Sequence, residues 1–316
     1  MADSKPASEH RAAGSARSAA TAFELDRYLK ERAALIERAL ADGVTESEGA
    51  AGRLFEAMRY SLLAGGKRLR PILAIAACEA VGGAAEAAMG FACAIEMIHT
   101  YSLIHDDLPC MDDDDLRRGR PTNHKVYGEA IATLAGDGLL TDAFRVLVRS
   151  VNGVPPAVVL EAVAELAEAA GSSGMVGGQV IDLLGEGRAL GLEELEYLHG
   201  KKTGALFVAA VRCGGRLGGA NDAQLLALRE YGQALGLAFQ VIDDLLDVEE
   251  STENMGKRTH KDEARGKATY PSLIGAVRSR EMARELVKKA HDALAGFDHR
   301  AEPLRVLASF AVERKL

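Results

Sequence analysis

Apolar residues recur at the three- and four-residue spacing of an α-helix in several stretches of the chain. The clearest run comprises Leu225, Leu228, Leu235, Phe239, Ile242 and Leu246. Prolines, which interrupt helices, are absent from 7–70 and from 157–270, so long helices can form there. Alternating strand patterns joined by Asn-Gly or Asp-Gly turns are missing. The pattern therefore predicts an all-α protein.

Glycine and proline clusters separate the predicted helices and resemble the loops of one bundle rather than domain linkers. Residues 1–20 are rich in Ala, Ser and Arg, a composition that an organelle transit peptide would share. Asp3 and Glu9 argue against that interpretation and favour a disordered tail. We therefore expect a disordered N-terminal tail over 1–20 and a single domain over 21–316.

Composition narrows the class of protein further. Apolar residues make up 48% of the chain and aromatic residues only 5%, which favours close-packed helices built on Ala and Leu. The net charge of -8 argues against a nucleic-acid binder. The four cysteines show no disulfide or zinc-site spacing, and no apolar run reaches the ~18 residues of a membrane span. These features predict a cytoplasmic protein without a membrane span.

Two groups of acidic residues are the main candidates for chemistry. The first places six aspartates within 106–115, directly after the apolar helical stretch 91–104. The second shares one face of a predicted helix and comprises Gln240, Asp243, Asp244 and Asp247. A solvated acidic loop would explain the first group alone, but carboxylates on an apolar helix cost on the order of several kcal/mol each without cations. Mg²⁺, which takes oxygen ligands and substrate phosphates, explains both groups.

Basic residues accompany the acidic groups in three segments: GGKRLRP at 65–71, the pair Arg117-Arg118, and LHGKKTGAL at 198–206. Each segment alone is compatible with an ordinary surface patch. Beside two groups of metal-binding type, each becomes a candidate phosphate site. The P-loop pattern G-x-x-x-x-G-K-[ST] is absent, which disfavours nucleoside triphosphate chemistry.

These segments, taken in order, resemble the motifs of the trans-isoprenyl diphosphate synthases, most closely the bacterial farnesyl diphosphate synthases. The match begins near residue 24 and includes GGKRLRP, IHTYSLIHDDLPCMDDDDLRRGRPTNH, GGQVIDL, HGKKTGAL, FQVIDDLLD and MGKRTHKDEARGKATYP. The resemblance implies an isoprenoid-synthase-type helical bundle around a central cavity, with the two Asp motifs facing each other. It also implies a homodimer.

The same resemblance implies a role for individual residues. Carboxylates that bind three Mg²⁺ ions, or Mn²⁺ as a substitute, would be Asp106, Asp107, Asp112, Asp243, Asp244 and Asp247. Residues that hold the allylic diphosphate would be Arg117, Lys202, Lys257 and Lys267. Residues of the isopentenyl diphosphate site would be Lys67, Arg70, His99 and Arg118. Polar groups beside the developing allylic cation would be Thr203 and Gln240.

The implied reaction joins isopentenyl diphosphate head-to-tail to dimethylallyl or geranyl diphosphate. Cations stabilise the charge that the leaving diphosphate gains as its C–O bond breaks. The alkene of isopentenyl diphosphate attacks the resulting allylic cation, and a proton is then lost. Water has to be excluded, and the basic C-terminal end at Arg314 and Lys315 is a candidate for closing the site.

Product length in this family depends on the residues four and five positions before the first Asp of the first motif. These are Ser102 and Tyr101, and a bulky Tyr is typical of enzymes that make farnesyl diphosphate. We therefore expect farnesyl diphosphate, with geranylgeranyl diphosphate as the alternative. Helix geometry is less decisive, because Tyr101 lies roughly 140° from Asp106, whereas Ser102 lies nearly beneath it.

Two more remote alternatives remain open. A class I terpene cyclase has a similar first Asp motif, but its second motif normally mixes Asn, Ser and Glu, whereas 243–247 reads DDLLD. A non-catalytic regulatory subunit should lack one Asp motif or the patch around Lys67 and Arg70, and both are present.

Overall fold

A computed structural model describes residues 23–45, 49, 51–149, 153–185, 187–188, 190–253 and 268–313 of the chain. These residues are largely helical, which confirms the predicted all-α class. The helices are α1 (Leu25–Gly43), α2 (Gly52–Leu62), α3 (Leu69–Ala80), α4 (Ala85–Asp106), α5 (Asn123–Tyr127), α6 (Glu129–Arg149), α7 (Pro156–Ala170), α8 (Met175–Gly185), α9 (Leu192–His199), α10 (Ala205–Leu217), α11 (Asp222–Glu253), α12 (Tyr270–Ile274), α13 (Ala276–Ala293) and α14 (Glu302–Glu313). The predicted tail, 1–20, lies outside the described residues.

The core of the bundle is formed by α3, α4 and α10. Most residues of α3 and α4 are buried, and α4 packs against α3, α6 and α10. Gly214 of α10 allows this close packing, because a Cβ there would lie 2.1 Å from the carbonyl oxygen of Ala74 in α3. Among the described residues, α4 is the one helix long and apolar enough to cross a membrane, but 72% of its most apolar window is buried inside the bundle. The environment of α4 is thus that of a core helix.

Two local features position side chains of the predicted site. A short antiparallel hairpin pairs β1 (Leu116–Arg117) with β2 (Arg120–Pro121). Its turn residues Arg118 and Gly119 have positive φ values of 52° and 73°, as a tight hairpin turn requires. The strands are too short to give an alternating pattern in the sequence. The second feature is one turn of π-helix, Gly200–Gly204, between α9 and α10.

Candidate active site

The first Asp motif lies at the C-terminal end of α4. After Asp107 the chain turns back, so that the N–H of Asp112 donates to the carbonyl oxygen of Asp106 at 2.8 Å. The pKa of Asp106 is raised to about 6, chiefly by burial and also by the Asp112 carboxylate, whereas the ammonium of Lys202 opposes the rise. The structure therefore places Asp112 and Lys202 close enough to Asp106 for their charges to act on its carboxyl group.

Asp107 of the first motif is bound by the hairpin. Nε of Arg117 donates to Oδ1 and Oδ2 of Asp107 at 2.9 and 3.0 Å, and Nη2 donates to Oδ1 at 2.6 Å. Burial raises the pKa of Asp107, and the Arg117 guanidinium opposes that rise. This ion pair holds the hairpin next to the end of α4, so a predicted metal ligand and a predicted diphosphate ligand contact each other directly.

The second Asp motif lies on α11 and is linked to the π-helix by hydrogen bonds. Thr203 donates from Oγ1 to Oε1 of Gln240 at 3.2 Å, and Nε2 of Gln240 donates to Oδ1 of Asp244 at 3.0 Å. The backbone N–H of Tyr270 donates to Oδ2 of the same carboxylate at 3.1 Å. Burial raises the pKa of Asp244 to about 7 despite these bonds. Asp243 and Asp247 lie on the same helix, and Asp247 is exposed.

Lys202 connects the π-helix to α8. Its Nζ donates to Oδ2 of Asp182 at 2.6 Å. A Cβ at Gly178 would lie 2.3 Å from the backbone nitrogen of Lys202, so a glycine is needed where the two elements meet. Asp182 was absent from the predicted site residues, although it is the acidic residue of the GGQVIDL segment. A cavity of about 190 Å³ beside these residues is lined by Asp182, Lys202, Gln240, Asp244 and Asp247, among others.

The predicted isopentenyl diphosphate residues gather between α3, α4 and the hairpin. The Arg70 guanidinium lies 5.0 Å from the centre of the Phe207 ring. Burial lowers the pKa of Arg70, whereas the carboxylates of Glu96 and Asp243 favour its charged form. Burial also lowers the pKa of His99 well below its usual range, with Arg70 contributing to the shift. His99 is therefore neutral near pH 7.

The loop before α3 completes this basic region. Arg118 donates from Nη1 to the carbonyl oxygen of Gly65, and its guanidinium occupies the space that a Cβ at Gly66 would need. Lys67 is exposed on the same loop. Arg68, in contrast, points into the core, where it contacts Glu96 of α4. Glu96 was also absent from the predicted site residues, because a single Glu in an apolar helix gives no signal of its partner.

The two residues predicted to limit product length take different positions on α4. The Tyr101 ring is buried and packs edge-on against His105 at 5.7 Å between ring centres. His105 in turn contacts α6, with its Nε2 3.0 Å from the carbonyl oxygen of Thr133. Ser102 donates from Oγ to the carbonyl oxygen of His99 at 2.9 Å and lies one turn before Asp106. Tyr101 is thus held on the α6 side of α4.

Some of the predicted residues are not brought together. Lys257, Lys267, Arg314 and Lys315 lie outside the described residues. Within the described ranges, the one group of three potential ligands with atoms within 4.8 Å of one another is formed by the neighbours Asp113, Asp115 and His124. Lys125 already pairs with Asp115 at 2.7 Å. A larger groove of about 710 Å³ is lined in part by Lys201 and by none of the residues predicted to hold a diphosphate.

Comparison with known proteins identifies the family. The sequence profile described as polyprenyl synthetase matches residues 52–300. A chloroplastic geranylgeranyl pyrophosphate synthase of Catharanthus roseus is 50% identical over 299 residues, covering 94% of this chain and 83% of its own. The chloroplastic heterodimeric geranylgeranyl pyrophosphate synthase large subunit 1 of Arabidopsis thaliana is also 50% identical, covering 93% of this chain and 81% of its own.

A solved structure supports the same relationship. The apo crystal structure of an FPP/GFPP synthase from Zymomonas mobilis superposes with a TM-score of 0.83 at 41% sequence identity. The match covers 91% of this chain and 98% of that chain. The predicted isoprenoid-synthase-type bundle is therefore confirmed.

Two expectations need correction. Farnesyl diphosphate as the main product is wrong, because the relatives at 50% identity are named for geranylgeranyl pyrophosphate. The expectation relied on the size of Tyr101, but the direction of its ring, toward His105 and α6, cannot be read from the sequence. The cytoplasmic location is contradicted as well, because the same relatives are named as chloroplastic. Cysteine spacing and apolar run lengths carry no information that separates cytoplasm from plastid.

Three findings agree on the same family: the matched profile, the relatives at 50% identity and the shared fold. The chain belongs to the polyprenyl synthetase family of prenyltransferases.

Proposed function

We propose that the protein is a geranylgeranyl diphosphate synthase, which extends an allylic diphosphate with isopentenyl diphosphate to a twenty-carbon product. The observation that carries this proposal is the 50% identity, over more than nine-tenths of the chain, to relatives named for that product. The position of Ser102 supports it, because this small side chain lies one turn beneath Asp106, where a growing chain would pass.

The carboxylates fit Mg²⁺ as the cofactor. They supply the hard oxygen ligands that this ion prefers, and Mg²⁺ commonly combines a few carboxylates with substrate phosphates. Burial raises the pKa of Asp106 and Asp244, so the site holds desolvated carboxylates that a nearby cation would favour in their charged form. Asp106, Asp112 and Asp243 would be the main ligands, with Asp107, Asp244 and Asp247 as further ligands. When bound, Mg²⁺ supplies positive charge to the leaving diphosphate.

The protein's own cations would hold the allylic diphosphate beside those carboxylates. Arg117 is fixed by Asp107 and Lys202 by Asp182, so both cations are positioned before substrate arrives. Thr203 and Gln240 would orient their oxygen dipoles toward the allylic carbon as positive charge develops there. Their mutual hydrogen bond fixes these dipoles in advance.

The isopentenyl diphosphate site would use Lys67, Arg70, His99 and Arg118. Nε of Arg70 is buried without a hydrogen-bond partner in the part of the chain that the structure describes, so this donor is available to an anionic oxygen. A neutral His99 has one N–H to donate and adds no further charge to the neighbouring guanidinium groups. This arrangement would hold the alkene of isopentenyl diphosphate beside the allylic carbon until the new C–C bond forms.

A homodimer is a further part of the proposal. Leu134 and Val148 lie about four turns apart on one face of α6, with exposed fractions of 52% and 55%. A second copy of the chain that packs on this face of α6 would cover both side chains. Light scattering should give twice the mass of one chain, and the mass of a single chain would contradict this expectation.

The product length can be tested at Ser102. The unaltered protein with Mg²⁺, isopentenyl diphosphate and geranyl diphosphate should yield mainly the twenty-carbon diphosphate, identified by mass spectrometry after dephosphorylation. Ser102→Phe should shift the main product to fifteen carbons, because a large ring would occupy the space beneath Asp106. Tyr101→Phe is the matched control and should leave the product unchanged, since it keeps the ring packed on His105. A twenty-carbon product from Ser102→Phe would contradict the assignment.

The raised pKa of Asp244 gives a stability test of the metal-free protein. Its carboxyl has a pKa of about 7 in the folded protein against an ordinary value of 3.8, so the folded form binds this proton more tightly than the unfolded form. Metal-free protein should therefore lose stability as pH rises from about 4 to 7. Asp244→Asn should be more stable than the unaltered protein at pH 8 in EDTA, by at most about 4 kcal/mol.

Denaturant unfolding at several pH values measures this difference. Asp247→Asn on the same helix is the control and should gain less, because Asp247 is exposed. If Asp244→Asn is no more stable than the unaltered protein at pH 8, burial of the ionised Asp244 carboxylate does not destabilise the fold.

A further inference from the structure

Glu96 is a buried carboxylate of α4 that no predicted role uses. Its exposed fraction is 3%, and it lies on the part of α4 that faces the basic region. Nη1 of Arg68 donates to its Oε1 at 2.6 Å. Its charge also favours the charged forms of Arg70 and Arg118. One carboxylate therefore interacts with three arginines, and two of them, Arg70 and Arg118, belong to the proposed isopentenyl diphosphate site.

Arg68 connects Glu96 to the turn between α2 and α3. The Arg68 side chain is buried, and its Nη2 donates to the carbonyl oxygen of Leu62 at the end of α2. The backbone of Arg68 is left-handed, with a φ of 48°. Lys67, one residue before Arg68, and Arg70, two residues after it, belong to the proposed substrate site. The ion pair with Glu96 thus fixes the turn that carries Lys67 and the first turn of α3, which carries Arg70.

Glu96 also offsets repulsion among the guanidinium groups. Burial lowers the pKa of Arg118, and the charges of Arg68 and Arg117 lower it further, whereas Glu96 raises it. Burial lowers the pKa of Arg70 too, and Glu96 again opposes that shift. Without this carboxylate, Arg68 would be a buried charge whose one remaining salt-bridge partner among the described residues is the half-exposed Glu37, 3.9 Å away.

We propose that Glu96 is a positioning residue for isopentenyl diphosphate: through Arg68 it holds the turn that carries Lys67 and the start of α3 that carries Arg70, and it keeps Arg70 and Arg118 close enough to bind one diphosphate. Glu96 itself does not touch the substrate. This inference rests on the proposed function only in taking isopentenyl diphosphate as the ligand of these arginines.

A positioning role and a purely electrostatic role of Glu96 predict opposite effects of its neutralisation on diphosphate binding. A carboxylate beside an anion site repels the anion, so its neutralisation should tighten diphosphate binding if charge alone mattered. If Glu96 positions the arginines, its neutralisation should weaken binding, because the preorganised geometry of the donors is lost. The direction of the change in KM therefore separates the two roles.

The experiment compares Glu96→Gln with the control Glu37→Gln in the full chain. Glu96→Gln should raise the KM for isopentenyl diphosphate by about 10-fold or more, while the KM for geranyl diphosphate changes by less than about 3-fold. Glu37→Gln removes the other acidic neighbour of Arg68, which is half exposed, and should leave both constants unchanged. An unchanged or lower KM for isopentenyl diphosphate in Glu96→Gln would overturn the proposal.

A second variant, Glu96→Asp, separates the effect of position from that of charge and provides a test if Glu96→Gln does not fold. Glu96→Asp keeps the charge but withdraws it by one methylene from Arg68, so it should also raise the KM for isopentenyl diphosphate; a KM equal to that of the unaltered protein would refute positioning. Thermal unfolding and circular dichroism check that each variant folds. If Glu96→Gln fails to fold, Glu96→Asp decides by the same KM ratio. These constants come from prenyl transfer of any product length, so a failure of the proposed twenty-carbon product would appear separately in the product analysis.

Discussion

The site depends on how buried carboxylates are neutralised inside a core made mostly of aliphatic side chains. Three of them have a protein cation at short range: Asp107 has Arg117, Asp182 has Lys202, and Glu96 has Arg68, each with an N to O distance of 2.6 Å. Within the described ranges, Asp106 and Asp244 have no such pair, and burial raises the pKa of these two carboxyl groups to about 6 and about 7. The paired acids organise the site, and the other two are where an additional cation has the most to contribute.

The carboxylates that pair with a protein cation also fix the positions of the basic side chains relative to the helices. An Arg or Lys that is fixed by a carboxylate needs little reorganisation when a diphosphate arrives. Arg117 is positioned by the hairpin and by Asp107, and Lys202 by the π-helix and by Asp182. The glycine at 178 is required for the second of these arrangements, because a side chain there would collide with the backbone of Lys202.

Much of the fold and part of the site could be predicted from the sequence. Helical periodicity and the distribution of prolines give the all-α class, and the spacing of Gln240 and Asp244 gives their shared face on α11. The direction of side chains could not be predicted. Arg68 looks equivalent to its basic neighbours in GGKRLRP but points into the core, because its backbone is left-handed and Glu96 lies opposite. The direction of the Tyr101 ring could not be predicted either, since its packing on His105 depends on the neighbouring helix α6.

Asp106 and Asp244 should admit a diphosphate only together with divalent cations. Isothermal titration of the full chain with inorganic diphosphate, in Mg²⁺ and in EDTA, measures this directly. Mg²⁺ should lower the Kd of the protein for diphosphate by about 100-fold or more, because the carboxylates and the diphosphate otherwise repel each other. An equal Kd in Mg²⁺ and in EDTA would contradict it and would mean that the arginines and lysines alone hold the diphosphate.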